Sequence, residues 1–82
     1  MNSLFLVELC SDLDYEEMVA DVSYGNQILA IIDQEKGIDQ MEIEIFMPDS
    51  NAKSWKLPLD EFIKTLHFAK KTLEEMQKFP DE

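Results

Sequence analysis

The stretch Met18-Val-Ala-Asp-Val-Ser-Tyr-Gly-Asn-Gln-Ile-Leu-Ala-Ile-Ile32 sets the frame for the whole chain. Up to Tyr24 the residues alternate, with Met18, Ala20, Val22 and Tyr24 on one side and Val19, Asp21 and Ser23 on the other, the period of a strand. Gly25-Asn26 breaks the run, and an apolar segment follows at once. Glycine at the first central position of a two-residue turn supplies the positive φ of a type II′ hairpin, so Tyr24-Gly25-Asn26-Gln27 predicts one. Counting back from that turn pairs Tyr24 with Gln27, Val22 with Leu29, and Ala20 with Ile31. Leu29 and Ile31 then share a face with Met18, Ala20 and Val22, and the other face receives Val19, Asp21, Ile28, Ala30 and Ile32.

Before the hairpin, Leu4 to Cys10 is apolar on both parities with only Glu8 interrupting, the pattern of a strand covered on most of both faces, which places it centrally in a sheet. Ser11-Asp12-Leu13-Asp14 is turn chemistry, since Ser and Asp side chains bond nearby backbone amides. The opening run reads as this strand and not as an export leader: it lacks a basic first segment and a small-residue cleavage site. After the hairpin, Met41 to Met47 alternates again, with Ile43 and Ile45 one way and Glu42, Glu44 and Phe46 the other. A three-residue loop centred on Gly37, with Gly37 left-handed, would pair Ile31 with Ile43 and Leu29 with Ile45 and keep the faces consistent.

Pro48-Asp49-Ser50-Asn51 ends that strand, and Ser54 to Leu57 adds a short extended piece carrying Trp55. The period then changes. Phe62, Leu66, Ala69, Leu73 and Met76 recur at four and three residues, an amphipathic helix over 58–79 that opens near Pro58, carries Asp60 and Glu61 at the positive end of its dipole, and stops before Pro80. The apolar stripe of this helix needs a sheet face to bury against. The expected architecture is therefore α+β, one domain over 1–82: an acidic antiparallel sheet of about four strands in 1–49, with one C-terminal helix packed on one face. Glu8, Asp21, Glu42 and Glu44, interleaved with Val19, Ile28, Ile32 and Phe46, would share the opposite face.

Charge is distributed unevenly over this plan. Eighteen acids against seven basic residues give a formal net charge of -11. Residues 1–49 hold twelve of the acids against Lys36 alone, whereas residues 50–82 hold six acids and six lysines. A chain so acidic repels nucleic acid and anionic membrane and attracts a basic protein. With Cys10 the only cysteine, no intramolecular disulfide can form, which fits a reducing cytoplasm. No segment reaches the roughly 20 consecutive apolar residues of a membrane helix.

Catalytic and metal chemistry find little footing. His67, the only imidazole, reads as a partly exposed helix residue, and Cys10 as a buried structural thiol. Asp12-Leu-Asp14 resembles the start of a calcium loop, but the sixth position is Glu17 instead of glycine and the twelfth is Ser23 instead of glutamate. Gly25 and Gly37 belong to hairpins and not to a phosphate-cradling loop. No catalytic residue, cofactor or metal site is assigned, and the chain is read as a binding protein and not an enzyme. The candidate contacts are Asp12, Asp14, Glu16, Glu17, Asp21, Glu42, Glu44 and Phe46, because carboxylates beside apolar groups combine steering with contact area.

The segment from Ser11-Asp-Leu-Asp-Tyr-Glu-Glu-Met-Val-Ala-Asp-Val22 to Ile43-Glu-Ile-Phe46, followed by Leu57-Pro-Leu-Asp-Glu-Phe62, resembles the small immunity proteins of bacterial contact-dependent inhibition and related polymorphic toxin systems. The resemblance implies a cytoplasmic protein that binds a cognate toxin domain, often a basic nuclease, and blocks its active site or its access to substrate. It carries over no catalytic residue. An acidic nucleic-acid mimic that inhibits a DNA-binding protein, or another small protein-binding module, would show the same charge.

Overall fold

The computed structural model describes residues 4–11, 15–48 and 54–77. Four antiparallel strands, β1 (Phe5–Cys10), β2 (Val19–Tyr24), β3 (Gln27–Asp33) and β4 (Glu42–Ile45), follow one another in space as in sequence. A short 3-10 turn (Ile38–Gln40) precedes β4, and one helix, α1 (Leu59–Gln77), ends the described chain. The expected α+β architecture is the one observed. Within the helix span read from sequence, residues 78 and 79 lie outside the described residues, as does Pro80.

The hairpin forms where the glycine marks it, with Tyr24 opposite Gln27. Gly25 and Asn26 both take positive φ, 58° and 73°. Two successive left-handed residues make a type I′ turn, whose twist suits the flanking strands as well as the expected II′ does. The pairing departs from expectation two residues later. Ser23 faces Ile28, but Val22 faces Ala30 instead of Leu29, and Ala20 faces Ile32 instead of Ile31. Leu29 is the extra residue of a β-bulge, which shifts the parity of everything beyond it. Leu29, Ala30 and Ile32 thus enter the core, and Ile31 moves to the opposite face.

A second one-residue change follows in the β3–β4 connection. Ile43 pairs with Ile32 and Ile45 with Ala30, so the connection from Gln34 to Met41 is longer than a three-residue loop. Gly37 has φ 111° and ψ 160°, a region that only glycine occupies readily and not the left-handed helical region expected. Its amide bonds the Gln34 carbonyl and its carbonyl accepts from Gln40. The two shifts cancel, so Ile43 and Ile45 still lie on the core face although their partners differ from those expected.

β1 is an edge strand, contrary to its expected central place. Its burial alternates: Phe5, Val7 and Leu9 pack on the core, while Leu4 and Leu6 are 62% and 53% exposed. One helix can cover only one face, and the apolar residues on the other parity remain in solvent. α1 lies over β1 and β2, burying Ala69 and Leu73 completely against Ala20, Val22, Leu29, Ala30 and Ile32. Phe62 and Leu66 pack at the margin of this core. Phe5 ties the start of the helix to the sheet edge, its ring 5.8 Å from Phe62 and 4.6 Å from Tyr24. The piece carrying Trp55 forms no strand; Trp55 packs on the core and donates Nε1–H to the Phe46 carbonyl at 2.7 Å.

Candidate functional site: the uncovered acidic face

The helix packs on one face of the sheet, and the registers assign the residues of the other. Glu8 on β1 pairs with Asp21 on β2, Asp21 with Ile31 on β3, and Ile31 with Glu44 on β4. This single row crosses all four strands with three carboxylates and one isoleucine. Asp33 and Glu42, paired across β3 and β4, extend the acids toward one end of the sheet. Leu6 and Ile28, 53% and 39% exposed, supply apolar surface toward the other. Val19, on the same parity, is fully buried outside the helix-side core, so the accessible part of the face is the carboxylate row and its Leu6 and Ile28 flank.

Asp21 is the most constrained of these acids. Its Oδ2 accepts a hydrogen bond from the Cys10 thiol at 3.1 Å, whereas Oδ1 is buried without a hydrogen-bond partner among the described residues. The carboxylate also stands directly opposite Glu8, and like charges in that relation repel. Cys10 is half-buried and engaged with Asp21.

At the acidic end the carboxylates do structural work. Glu35 Oε2 accepts the backbone amides of Glu16 and Glu17 at 2.9 and 3.1 Å, which anchors the β1–β2 loop to the β3–β4 loop. Buried Gln34 reinforces the junction by donating to the Met18 carbonyl at 2.9 Å. Lys36, the cation of this half of the chain, meets Glu42 at 2.7 Å in solvent. The hydrogen bond that Lys36 donates to Glu42, and then the charge of Glu42, raise the Lys36 pKa above the ordinary lysine value.

Of the residues singled out from sequence, Asp21 and Glu44 share the central row, and Glu42 lies beside it. Glu16 and Glu17 are exposed at the end of the sheet. Phe46 continues the β4 parity and is half-buried, its amide bonded to the Leu29 carbonyl. Asp12 and Asp14 lie outside the described residues. Glu8, Asp33 and Glu35 were not among the candidates. The signal for Glu8 was its position as the one charge interrupting an apolar strand, whereas Asp33 joins the face only because the bulge changes its parity.

Elsewhere, an apolar groove of about 420 Å³ runs between β1 and α1, lined by Phe5, Leu6, Val7, Lys64, Thr65 and Phe68 among others. His67 is exposed on the helix. Among the described residues no three His, Cys, Asp or Glu side chains group to hold a metal ion, and no helix is long and apolar enough to cross a membrane. Comparison of the chain with protein families, with curated proteins and with solved structures finds no match.

Proposed function

We propose that the chain is a cytoplasmic immunity protein that neutralises a basic toxin domain, such as a nuclease, by seating it on the uncovered acidic face. The observation that carries this reading is the row Glu8, Asp21, Ile31, Glu44 across the sheet face opposite the helix. A central apolar residue among carboxylates offers both desolvated contact and charge pairing to a lysine- or arginine-rich surface. Residues 50–82 balance six acids with six lysines, so the net negative charge of the molecule belongs to residues 1–49, the part that builds the sheet. Long-range attraction of this kind accelerates encounter and weakens as salt screens it.

The test is protection of cells. Each candidate basic toxin domain is induced in cells together with wild-type chain, with Glu8→Lys/Glu44→Lys, or with Lys64→Glu/Lys71→Glu. The sheet reversal is expected to abolish protection and the helix reversal to retain it. The opposite pattern would put the contact on the helix and sink the reading.

A further inference from the structure

β4 ends the sheet with an edge that no described strand covers. The Phe46 amide bonds the Leu29 carbonyl at 2.9 Å, which fixes the ladder's parity. Backbone groups of Glu42 and Glu44 and the Phe46 amide turn toward β3, and the backbone groups of Ile43 and Ile45 turn outward. Side chains alternate in step. Glu42 and Glu44 are exposed on the acidic face, while Ile43 and Ile45 lie on the helix side, still 41% and 58% exposed because α1 sits over β1 and β2. A hollow of about 250 Å³ beside Ile43 has Ile32, Met41 and Leu66 as further apolar walls and Asp39, Glu42 and Lys70 as its charged ones.

We infer that β4 accepts an added strand: an extended segment of the partner in which lysine or arginine alternates with apolar residues. The inference rests on the proposed binding of a basic protein and specifies how that protein docks. Strand addition takes its affinity from main-chain hydrogen bonds and its selectivity from alternate side chains. Here the backbone of Ile43 and Ile45 supplies the bonds, Glu42 and Glu44 select cations on one face, and the two isoleucines select apolar groups on the other. A second copy of this chain is a poor occupant, since antiparallel pairing of β4 with itself sets carboxylate against carboxylate. Lys36 already holds Glu42, so an incoming cation competes with it, and removing Lys36 favours the added strand.

The probe is an eight-residue peptide of alternating lysine and valine, titrated into the ¹⁵N-labelled full chain. Its comparisons are a block peptide of the same composition and two peptides N-methylated on all lysines or on all valines. In an added strand only one parity of peptide amides faces β4, so methylation on that parity is expected to weaken binding about tenfold or more, the loss of roughly two hydrogen bonds, and methylation on the other to leave it unchanged. The block peptide is expected to bind about tenfold more weakly, and the amides of Ile43 and Ile45 to gain protection from exchange. On the protein side Ile45→Pro removes an outward amide that no β3 bond uses, and should weaken binding as methylation does; Lys36→Gln should strengthen it several-fold. Equal binding of all four peptides, with a common salt dependence, would overturn strand addition while leaving the acidic-face reading intact. Protection at Val7 and Leu9 in place of Ile43 and Ile45, or no binding by any peptide, would overturn it as well. Cell protection by the charge-reversal pairs tests the acidic-face reading separately.

Discussion

Asp21 Oδ1 is shut away from solvent with no hydrogen-bond partner among the described residues, and Oδ2 accepts from the weak Cys10 thiol. A buried unsatisfied oxygen costs about 1–3 kcal/mol, and the facing Glu8 adds repulsion. Asp21→Val, which suits a strand and fits beside Ile31, is therefore expected to stabilise the fold by about 1 kcal/mol in chemical denaturation while weakening capture of a basic partner. A loss of stability would show that the Cys10 contact outweighs the orphaned oxygen. Lys36 illustrates the contrary case of a charge that is paired and largely exposed. Its pKa is raised above 10.5 by the hydrogen bond and charge of Glu42, so the pair's contribution is present below the ordinary lysine pKa and lost as pH rises through the raised value. In NMR titration Glu42→Gln is expected to bring the Lys36 midpoint down toward the ordinary lysine value. An unmoved midpoint would mean that the ion pair does not form in solution.

Among the elements, α1 holds the sheet through few residues. Leu73 is fully buried while Leu66 is only half-buried at the margin, so Leu73→Ala should cost about 2–5 kcal/mol and Leu66→Ala clearly less. Equal losses in denaturant would mean that the helix sits rotated from this position. The helix was legible because its stripe at four- and three-residue spacing is unambiguous, and the hairpin was legible because Gly25-Asn26 admits few other conformations. The bulge was not. Ile28 to Ile32 is apolar throughout, so a one-residue slip exchanges one hydrophobic side chain for another and leaves no trace in the pattern. The same ambiguity hid the place of β1, whose apolar residues on both parities suit a central strand equally well. For the candidate site, Asp21, Glu42 and Glu44 were readable because acids there alternate with apolar residues. Asp33 was concealed by the bulge, and Glu35 by a loop whose hydrogen bonds have no sequence period.

For the molecule as a whole, charge governs how copies of the chain meet. The sheet has two edges that no described strand covers, and Leu4, Leu6, Ile45 and Met47 expose large apolar groups near them, a combination that invites edge-to-edge association. At neutral pH the formal charge of -11 opposes it, since two copies repel before their edges can register. That repulsion depends on ionised carboxylates and fades as pH falls toward the isoelectric value near 4.2. Light scattering on a concentrated solution is therefore expected to show a monomer at pH 7 and self-association as pH approaches about 4.2, where net charge vanishes. The edge responsible can be identified by placing a lysine on each in turn, as Leu6→Lys on β1 and Ile45→Lys on β4, because a charge on an edge strand discourages pairing. Association blocked by either substitution assigns the contact to that edge. A chain that stays monomeric at its isoelectric point would show that strand geometry, and not charge, keeps the edges apart, and association unchanged in the double variant would place it on a surface away from both edges.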